Sequence, residues 1–392
     1  MNKERLVIKN FGPIQSVDLE LGKMTVLIGE NATGKSTIAK VLSICRYFSY
    51  IVDVNKIINY NTFFVENGLN DWGIRDFLKN ESYIEYENND YKLIVDYINF
   101  EIEEKEIINL FKPILIPKTD RFKNLLKSFY ESKDKNGKIA ISADFPYEFL
   151  KNEVKPILYN PFFIPAERSL QSIFSLGKSS INNMNDALFN QFSQLFEIST
   201  TYISETDIKA LDIVYKNING KGFVKKNIEK EYYSLENSAS GYQSIIPIVL
   251  AVKKFQDGEH VFIIEEPENN LFPKTQKKLV EFFVENINNH GHQFILPTHS
   301  PYILSSLNNC LYASKLSKIE NGIFMEEINA ILPKEYWLNL EDLSVYYLEI
   351  GEAKDILNKE ESLIDIDDLD SVSRDINKVF DELLTIEMKH EG

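Results

Sequence analysis

The sequence predicts an α/β fold, and three stretches of the chain predict that class. Each begins with a short apolar run typical of a buried strand and continues into a polar or glycine-rich segment. In chain order they are "TVLIGENATGKSTIAKVLSI", "HVFIIEEPENNLFP" and "FILPTHSPYIL". The first also runs into an apolar helix, so a strand, a loop and a helix follow one another as α/β folds require.

Composition and charge narrow the class of protein further. The chain has 392 residues, enough for one large domain or two to three ordinary ones, and its 44% hydrophobic and 26% charged content is typical of a soluble globular protein. The net charge of −16 argues against a general polyanion binder but leaves a local basic face for DNA possible. Cys45 and Cys310 form no metal-binding or disulfide pattern. With no signal peptide and no apolar run that could span a membrane, we expect a cytoplasmic protein without membrane contact.

Pattern changes along the chain predict four parts. Two alternating strands with a turn at Gly12-Pro13 form an N-terminal antiparallel β-subdomain before the first buried strand. An Asn-, Tyr- and Lys-rich mixed insertion follows, with a hairpin that turns at 88–90. The core then resumes, and an acidic extension with a terminal helix ends the sequence. The predicted boundaries are 1–50, 51–157, 158–340 and 341–392.

The loop "GENATGKST" predicts a site for a nucleoside triphosphate. A chance match to this glycine–lysine pattern is expected about 0.01 times in such a chain. Backbone N–H groups at the positive end of the following helix can surround a β-phosphate, while Lys35 reaches the β and γ oxygens and Ser36 ligates Mg²⁺. The predicted nucleotide-binding residues are Gly29, Glu30, Asn31, Ala32, Thr33, Gly34, Lys35, Ser36 and Thr37.

Two carboxylates at the end of a buried strand predict the catalytic part of this site. Burying them is costly unless a cation or a reaction requires them. Glu265 suits the anchoring of Mg²⁺, and Glu266 suits the positioning of a water molecule for hydrolysis. His299 follows another apolar strand, where its imidazole could sense a γ-phosphate. The segment "SASGYQS" opens an apolar helix, and a Ser N-cap there would make a second anion site.

These motifs, in this order, resemble the ABC-type ATPases of the SMC/RecF/OLD branch, and in particular the stand-alone OLD-like AAA-family ATPases of bacterial defence systems. The resemblance covers residues 1–45 and 158–392. It implies an ABC-type P-loop ATPase head with a helical signature subdomain, ATP and Mg²⁺ as cofactors, and a homodimer or higher homo-oligomer. It also implies that Ser240 and Gly241 contact the γ-phosphate bound by the opposite subunit, and that His299 is the switch histidine. Arg168 or Glu167, in "FIPAERS", is expected to face the nucleotide, or else to form a salt bridge at a strand end.

The expected function is ATP hydrolysis that controls a separately encoded effector protein, in antiphage defence. The alternative is a DNA-binding repair or maintenance ATPase of the RecF/SMC kind, whereas a transporter subunit is disfavoured. Glu349, Asp365 and Asp367 superficially resemble a nuclease centre, but too few residues follow His299 for such a domain, so we expect none. The insertion 51–157 is the expected docking surface for the effector, and its deletion is expected to leave ATPase activity largely intact while abolishing capture of that protein.

Overall fold

The computed structural model describes residues 4–46, 68–102, 106–120, 161–168, 187–319 and 324–365. Its strands are β1 (Glu4–Phe11), β2 (Ile14–Leu21), β3 (Met24–Gly29), β4 (Tyr83–Glu87), β5 (Tyr91–Ile102), β6 (Glu106–Pro117), β7 (Phe162–Ile164), β8 (Glu205–Ile208), β9 (Ile213–Ile218), β10 (Lys221–Lys226), β11 (Tyr233–Ser234), β12 (Val261–Ile264), β13 (Gln293–Thr298), β14 (Leu343–Glu349), β15 (Glu352–Asp355), β16 (Leu357–Asn358) and β17 (Leu363–Ile364). Its α-helices are α1 (Lys35–Arg46), α2 (Ala187–Tyr202), α3 (Ser240–Lys254), α4 (Pro273–His290), α5 (Pro301–Leu316) and α6 (Met325–Ile331). Short 3₁₀ helices cover Arg75–Phe77, Ala166–Arg168, Leu235–Asn237, Lys334–Tyr336 and Leu340–Asp342.

A single large sheet organises the molecule, in the order β6-β5-β4-β1-β2-β15-β14-β3-β13-β12-β7. The five strands from β14 to β7 are parallel, and the pairs within β6-β5-β4-β1-β2 are antiparallel. All six residues of β3 are buried, as expected of a strand with neighbours on both edges and helices on its faces. The predicted α/β class and the N-terminal antiparallel strands are therefore confirmed.

The predicted hairpin is present, but it does not stand apart from the core. Asn88 makes its turn, because the side-chain oxygen accepts from the main-chain nitrogens of Asp90 and Tyr91 at 2.8 and 2.9 Å. Strand β4 pairs antiparallel with β1, from Arg5 opposite Glu87 to Lys9 opposite Tyr83. Part of the segment that the sequence analysis separates as an insertion thus extends the main sheet.

Strand β14 also lies inside the sheet, although its residues fall in the segment separated as an acidic extension. It pairs in parallel with β3, the strand that leads into the glycine-rich loop, from Leu343 opposite Met24 to Leu348 opposite Gly29. The four-part division stays a prediction. The segments predicted as an insertion and as an acidic extension nevertheless both supply strands to the main sheet. The predicted terminal helix and Asp367 lie outside the described residues.

Two apolar cores pack on the sheet. One joins α1 to the N-terminal strands and the hairpin through residues such as Leu42, Tyr86 and Leu93. The other joins α3, α4 and α5 to the parallel strands. Helix α2 contributes Phe192 and Leu195 to this second core, and their spacing of three residues places them on one face of the helix. Among the helices of the described ranges, none combines the length and the apolar character needed to span a bilayer.

Candidate functional site

The predicted motifs meet because each follows the carboxyl end of a parallel strand. Strands β7, β12, β13 and β3 are consecutive neighbours, with Ile164 paired to Ile264 and Thr298 paired to Ile28. The segments that leave these four ends are 165–168, 265–271, 299–300 and 30–34. Ligand sites of parallel α/β sheets form at this edge.

Two glycines shape the loop between β3 and α1. A Cβ on Gly29 would lie 2.3 Å from the carbonyl oxygen of Leu348 in the neighbouring strand, so no larger residue fits there. Gly34 has a φ of +101°, and a Cβ there would meet Ile14 at 3.0 Å. Ala32 also has a positive φ, of 63°. The backbone therefore curls tightly before α1 begins at Lys35.

Lys35 is the buried cation of this loop. Its Nζ donates to the carbonyl oxygens of Gly29 and Glu30 at 2.8 and 2.6 Å, and lies 3.5 Å from Thr33 Oγ1. Burial lowers the pKa of Lys35 to about 8, while the negative charges of Glu266 and Glu268 act in the opposite direction. In this structure two of the three N–H donors of the lysine bind its own loop closely, so the third, which makes only the 3.5 Å contact with Thr33 Oγ1, is the donor available to a phosphate oxygen.

Ser36 and Glu265 form the pair predicted to hold a metal. Burial raises the pKa of Glu265, and the neighbouring Ser36 side chain acts in the opposite direction. Glu265 Oε1 is buried and has no hydrogen-bond partner in the described part of the structure. A buried carboxylate oxygen with a free lone pair beside a hydroxyl fits a hard divalent cation.

The same described ranges contain no cluster of three or more His, Cys, Asp or Glu side chains suited to a metal. An ion at Ser36 and Glu265 would therefore complete its shell with other oxygen ligands. Mg²⁺ tolerates this arrangement, because it usually keeps several waters and takes substrate phosphate oxygens as ligands.

Glu266 and His299, the predicted catalytic pair, lie side by side. His299 Nε2 is 3.6 Å from Glu266 Oε1, and both side chains remain partly exposed. Glu266 has a φ of +43°, a conformation that costs free energy for a residue other than glycine. Its main-chain nitrogen donates to the carbonyl oxygen of Pro297 at 2.8 Å, which joins the ends of β12 and β13.

Arg168 has partners other than those expected. Its side chain is fully buried, and it donates to the main-chain carbonyls of Ser244 (2.9 Å), Pro165 (3.2 Å), Glu265 (2.8 Å) and Glu266 (2.7 Å). Burial lowers the pKa of Arg168 to about 10. The guanidinium thus links the end of β12 to the first turns of α3, and within the described ranges it forms no salt bridge. Contact between Arg168 and a nucleotide stays a prediction.

The segment with Ser240 and Gly241 begins α3 as predicted, but its N-cap differs. The N-cap residue is Ala239, which offers no side-chain cap, so the expected Ser N-cap is wrong. Gln243 instead orders the approach to the helix by donating to three carbonyls, those of Leu235, Glu236 and Ser238. A Cβ on Gly241 would lie 3.0 Å from the carbonyl oxygen of Asn270, so this helix end packs on the loop that follows Glu266.

Glu268 is a candidate site residue that the sequence analysis did not single out. Its Oε1 accepts from the main-chain nitrogen of His299 at 2.6 Å, and its Oε2 is buried without a hydrogen-bond partner in the described ranges. The sequence does show a third carboxylate two positions after Glu266, and this spacing could have marked Glu268 as a candidate. Periodicity alone could not show that it turns inward, toward the next strand end.

Comparison with known proteins identifies related sequences and folds. The family model described as "AAA ATPase domain" matches residues 47–304, which is more than half of the chain and includes Glu265, Glu266 and His299. The search among curated proteins gave no match.

Several solved structures are similar at low identity. One is the SMC head domain from Thermotoga maritima, with 11% identity, a TM-score of 0.40, and coverage of 91% of this chain and 98% of that chain. A second is the SmcHead bound to the C-winged helix domain of ScpA, with 16% identity, a TM-score of 0.39, and coverage of 91% and 97%. A third, derived from Pyrococcus furiosus, is the Smc head domain with an extended coiled coil bound to the C-terminal domain of ScpA. It has 13% identity, a TM-score of 0.36, and coverage of 97% and 100%.

Proposed function

Because the chain belongs to the AAA ATPase domain family, we propose that it binds ATP with Mg²⁺ at the carboxyl edge of the sheet and hydrolyses it to ADP and phosphate. One observation carries the proposal. The glycine-rich loop, the Ser36–Glu265 pair and the Glu266–His299 pair leave adjoining parallel strand ends. The chemistry of phosphate binding, metal binding and water activation is therefore available at one place.

Phosphate binding is assigned to the loop and to the start of α1. The main-chain N–H groups from Glu30 to Ser36 supply donors at the positive end of a helix dipole. Lys35 adds a full positive charge when it is protonated. Mg²⁺, held by Ser36 and Glu265, would neutralise charge on the β and γ oxygens. Gly29, Asn31, Ala32, Thr33, Gly34 and Thr37 complete the proposed nucleotide site.

Hydrolysis is assigned to Glu266 and His299. Glu266 is the partly exposed carboxylate of the edge, so it can accept a proton from a water that attacks the γ-phosphate or orient that water. His299, 3.6 Å away, can donate to the developing charge on the phosphate or hold Glu266 in place. The positive φ of Glu266 costs free energy, and residues in such conformations cluster at functional sites, which supports a catalytic role for this carboxylate.

We further propose that two copies associate with ATP between them. Ser240 and Gly241 would contact the nucleotide held by the opposite copy, as the resemblance implies. Arg168 and the Asn270 loop connect this helix start to the Glu265–Glu266 turn of its own chain. Contact between the ATP of one copy and Ser240 and Gly241 of the other would thus affect the position of Glu265 and Glu266 in that second copy. Hydrolysis would then separate the two copies.

The proposed output is control of a separately encoded effector protein, in antiphage defence. The net charge of −16 favours a protein partner over DNA, which would need a local basic face. DNA binding of the RecF/SMC kind is the competing outcome, and it would show a steep loss of affinity with salt because phosphate contacts release counterions.

The test uses Glu266→Gln, which removes the charge while keeping the shape of the side chain. ATP binding should persist, turnover should fall by roughly 10²–10⁴-fold, and light scattering should show an ATP-dependent dimer. The trapped dimer should also capture the product of the adjacent gene. The matched control is Glu281→Gln, a carboxylate on α4 outside the site.

Two results would count against the proposal. An active and monomeric Glu266→Gln protein would overturn both the catalytic role and the dimer. Tight, salt-sensitive DNA binding with no captured protein would favour a DNA-binding repair or maintenance ATPase over an ATPase that controls an effector protein.

A further inference from the structure

Two hydrogen bonds join the segments that leave β12 and β13. The Glu266 nitrogen donates to the Pro297 carbonyl at 2.8 Å, and the His299 nitrogen donates to Glu268 Oε1 at 2.6 Å. The first bond uses main-chain atoms only, so it does not depend on side-chain identity. The second requires an acceptor on the side chain at position 268. The placement of His299 relative to Glu266 therefore depends on Glu268.

The turn that carries Glu268 is well defined by its own bonds. The Asn269 nitrogen donates to the Glu266 carbonyl and the Leu271 nitrogen to the Glu268 carbonyl, both at 2.9 Å. Pro267 restricts the backbone between the two glutamates. Glu266 and Glu268 thus project from one tight turn. The His299 nitrogen that binds Glu268 therefore has a defined position relative to Glu266.

Two nearby cations, Lys35 and Arg168, compensate the negative charge of Glu268. Its Oε2 is buried with no hydrogen-bond partner in the described ranges, a state that is costly for an isolated carboxylate. The negative charge of Glu268 raises the pKa of both Lys35 and Arg168, so both cations lie within its field. Arg168 in turn donates to the carbonyls of Glu265 and Glu266.

We propose that Glu268 is a positioning residue, which keeps His299 in place beside Glu266 through the bond to the His299 nitrogen. This inference rests on the proposed function, because a positioning role has meaning only if Glu266 and His299 act in hydrolysis. Without the bond, the segment that begins at His299 can move away from Glu266, and the separation of 3.6 Å between Nε2 and Oε1 is lost.

The first measurement is independent of ATPase activity. Amide hydrogen exchange at His299 is followed in the nucleotide-free full chain and in the variants Glu268→Gln and Glu268→Ala. Gln retains an acceptor oxygen and should keep the amide protected, whereas Ala should expose it. Equal protection in Glu268→Ala and the wild type would overturn the proposed bond.

The second measurement is steady-state ATP hydrolysis together with ATP binding. Glu268→Ala should lower kcat by roughly 10- to 100-fold, as expected for a small displacement of a catalytic group. Its Kd for ATP should stay within about twofold of the wild type, and Glu268→Gln should retain most of the activity. The matched control is Glu326→Ala, an exposed glutamate in the first turn of α6, which should leave kcat unchanged.

A double variant separates positioning from a merely structural role. If Glu268 acts through His299, combining Glu268→Ala with His299→Ala should be no slower than His299→Ala alone. Additive losses, or a Glu268→Gln protein as slow as Glu268→Ala, would overturn the proposal. If Glu268→Ala does not fold, Glu268→Asp replaces it, since the shorter side chain keeps the charge and withdraws the oxygen. A wild type that hydrolyses no ATP would defeat the proposed function, whereas the exchange experiment would still decide the bond.

Discussion

At the scale of single residues, Lys35 shows how burial tunes a charged group. The residue is 6% exposed, and its ammonium group is bound by carbonyls of its own loop. Its pKa of about 8 lies below the ordinary value of 10.5, because burial penalises the charged form. Below pH 8 the lysine is mostly protonated and can neutralise phosphate; above pH 8 it is mostly neutral. ATP binding should therefore depend on pH.

We expect the Kd for ATP to rise roughly tenfold between pH 7 and pH 9, since binding favours the protonated lysine. Isothermal titration near pH 8 in two buffers with different ionisation enthalpies should show net proton uptake. Lys35→Ala should show no measurable binding at any pH, because the loop loses its charge.

The control for this prediction is Lys23→Ala, at the opposite end of the β3 segment. Lys23 pairs with Asp342 at 3.2 Å and lies outside the proposed site, so its loss should leave the pH dependence unchanged. Affinity of the wild-type level in Lys35→Ala would refute the assignment of the loop.

At the scale of elements, a buried ion pair fastens the end of α1 to the start of β1. Arg46 Nε donates to Glu4 Oε1 at 2.6 Å, and the Tyr86 hydroxyl of β4 donates to the same oxygen at 2.6 Å. Glu4 raises the pKa of Arg46 in spite of its burial. The helix that follows the phosphate loop is thus anchored to the N-terminal strands by charge as well as by apolar packing.

Removing one partner of this pair should be costly. Glu4→Ala leaves Arg46 charged and buried, and we expect the free energy of unfolding to fall by about 3–5 kcal/mol in urea denaturation. The control is Asp18→Ala, which breaks an exposed pair with Arg5 on neighbouring strands and should cost less than about 1 kcal/mol. Equal losses in the two variants would contradict the buried pair as the stabilising contact.

The elements also show what sequence patterns reveal. Local signals predicted the P-loop strand and the Asn88 hairpin, because periodicity and turn chemistry act over a few residues. Pairing partners were not predicted: nothing local in the hairpin indicates that it joins β1. The partners of Arg168 were missed for the same reason, since they come from segments far apart in the chain.

At the scale of the whole molecule, the continuous sheet changes one expectation. From the sequence, residues 51–157 are expected to be an insertion whose deletion leaves ATPase activity largely intact. Strand β4 covers an edge of β1, and Tyr86, Tyr91 and Leu93 belong to the core that also holds α1. Removing these residues exposes a strand edge and apolar surface next to the helix that carries Lys35.

We therefore expect deletion of 51–157 to lower the thermal midpoint sharply and to abolish ATP hydrolysis. Circular dichroism and an ATPase assay on the same preparation would show both effects. The paired control is a Lys118→Ala full chain, which loses two exposed side-chain contacts, with the Glu87 carboxylate and the Asn88 carbonyl, and should melt like the wild type. A folded, active deletion protein would restore the view of this region as a separate module.

The position of β14 has a consequence for how the protein is made. The strand leading into the phosphate loop ends at residue 29, but one of its two partners in the sheet ends at residue 349. At translation rates of about 5–20 residues per second, roughly 16 to 64 s separate the synthesis of the two. Throughout that interval β3 lacks this neighbour, and its other partner, β13, also arrives late. The nascent chain must therefore keep a strand that is fully buried in the final fold from pairing wrongly until both partners have been made. We expect the phosphate loop, which follows this strand directly, to take its final shape only after β14 has been synthesised.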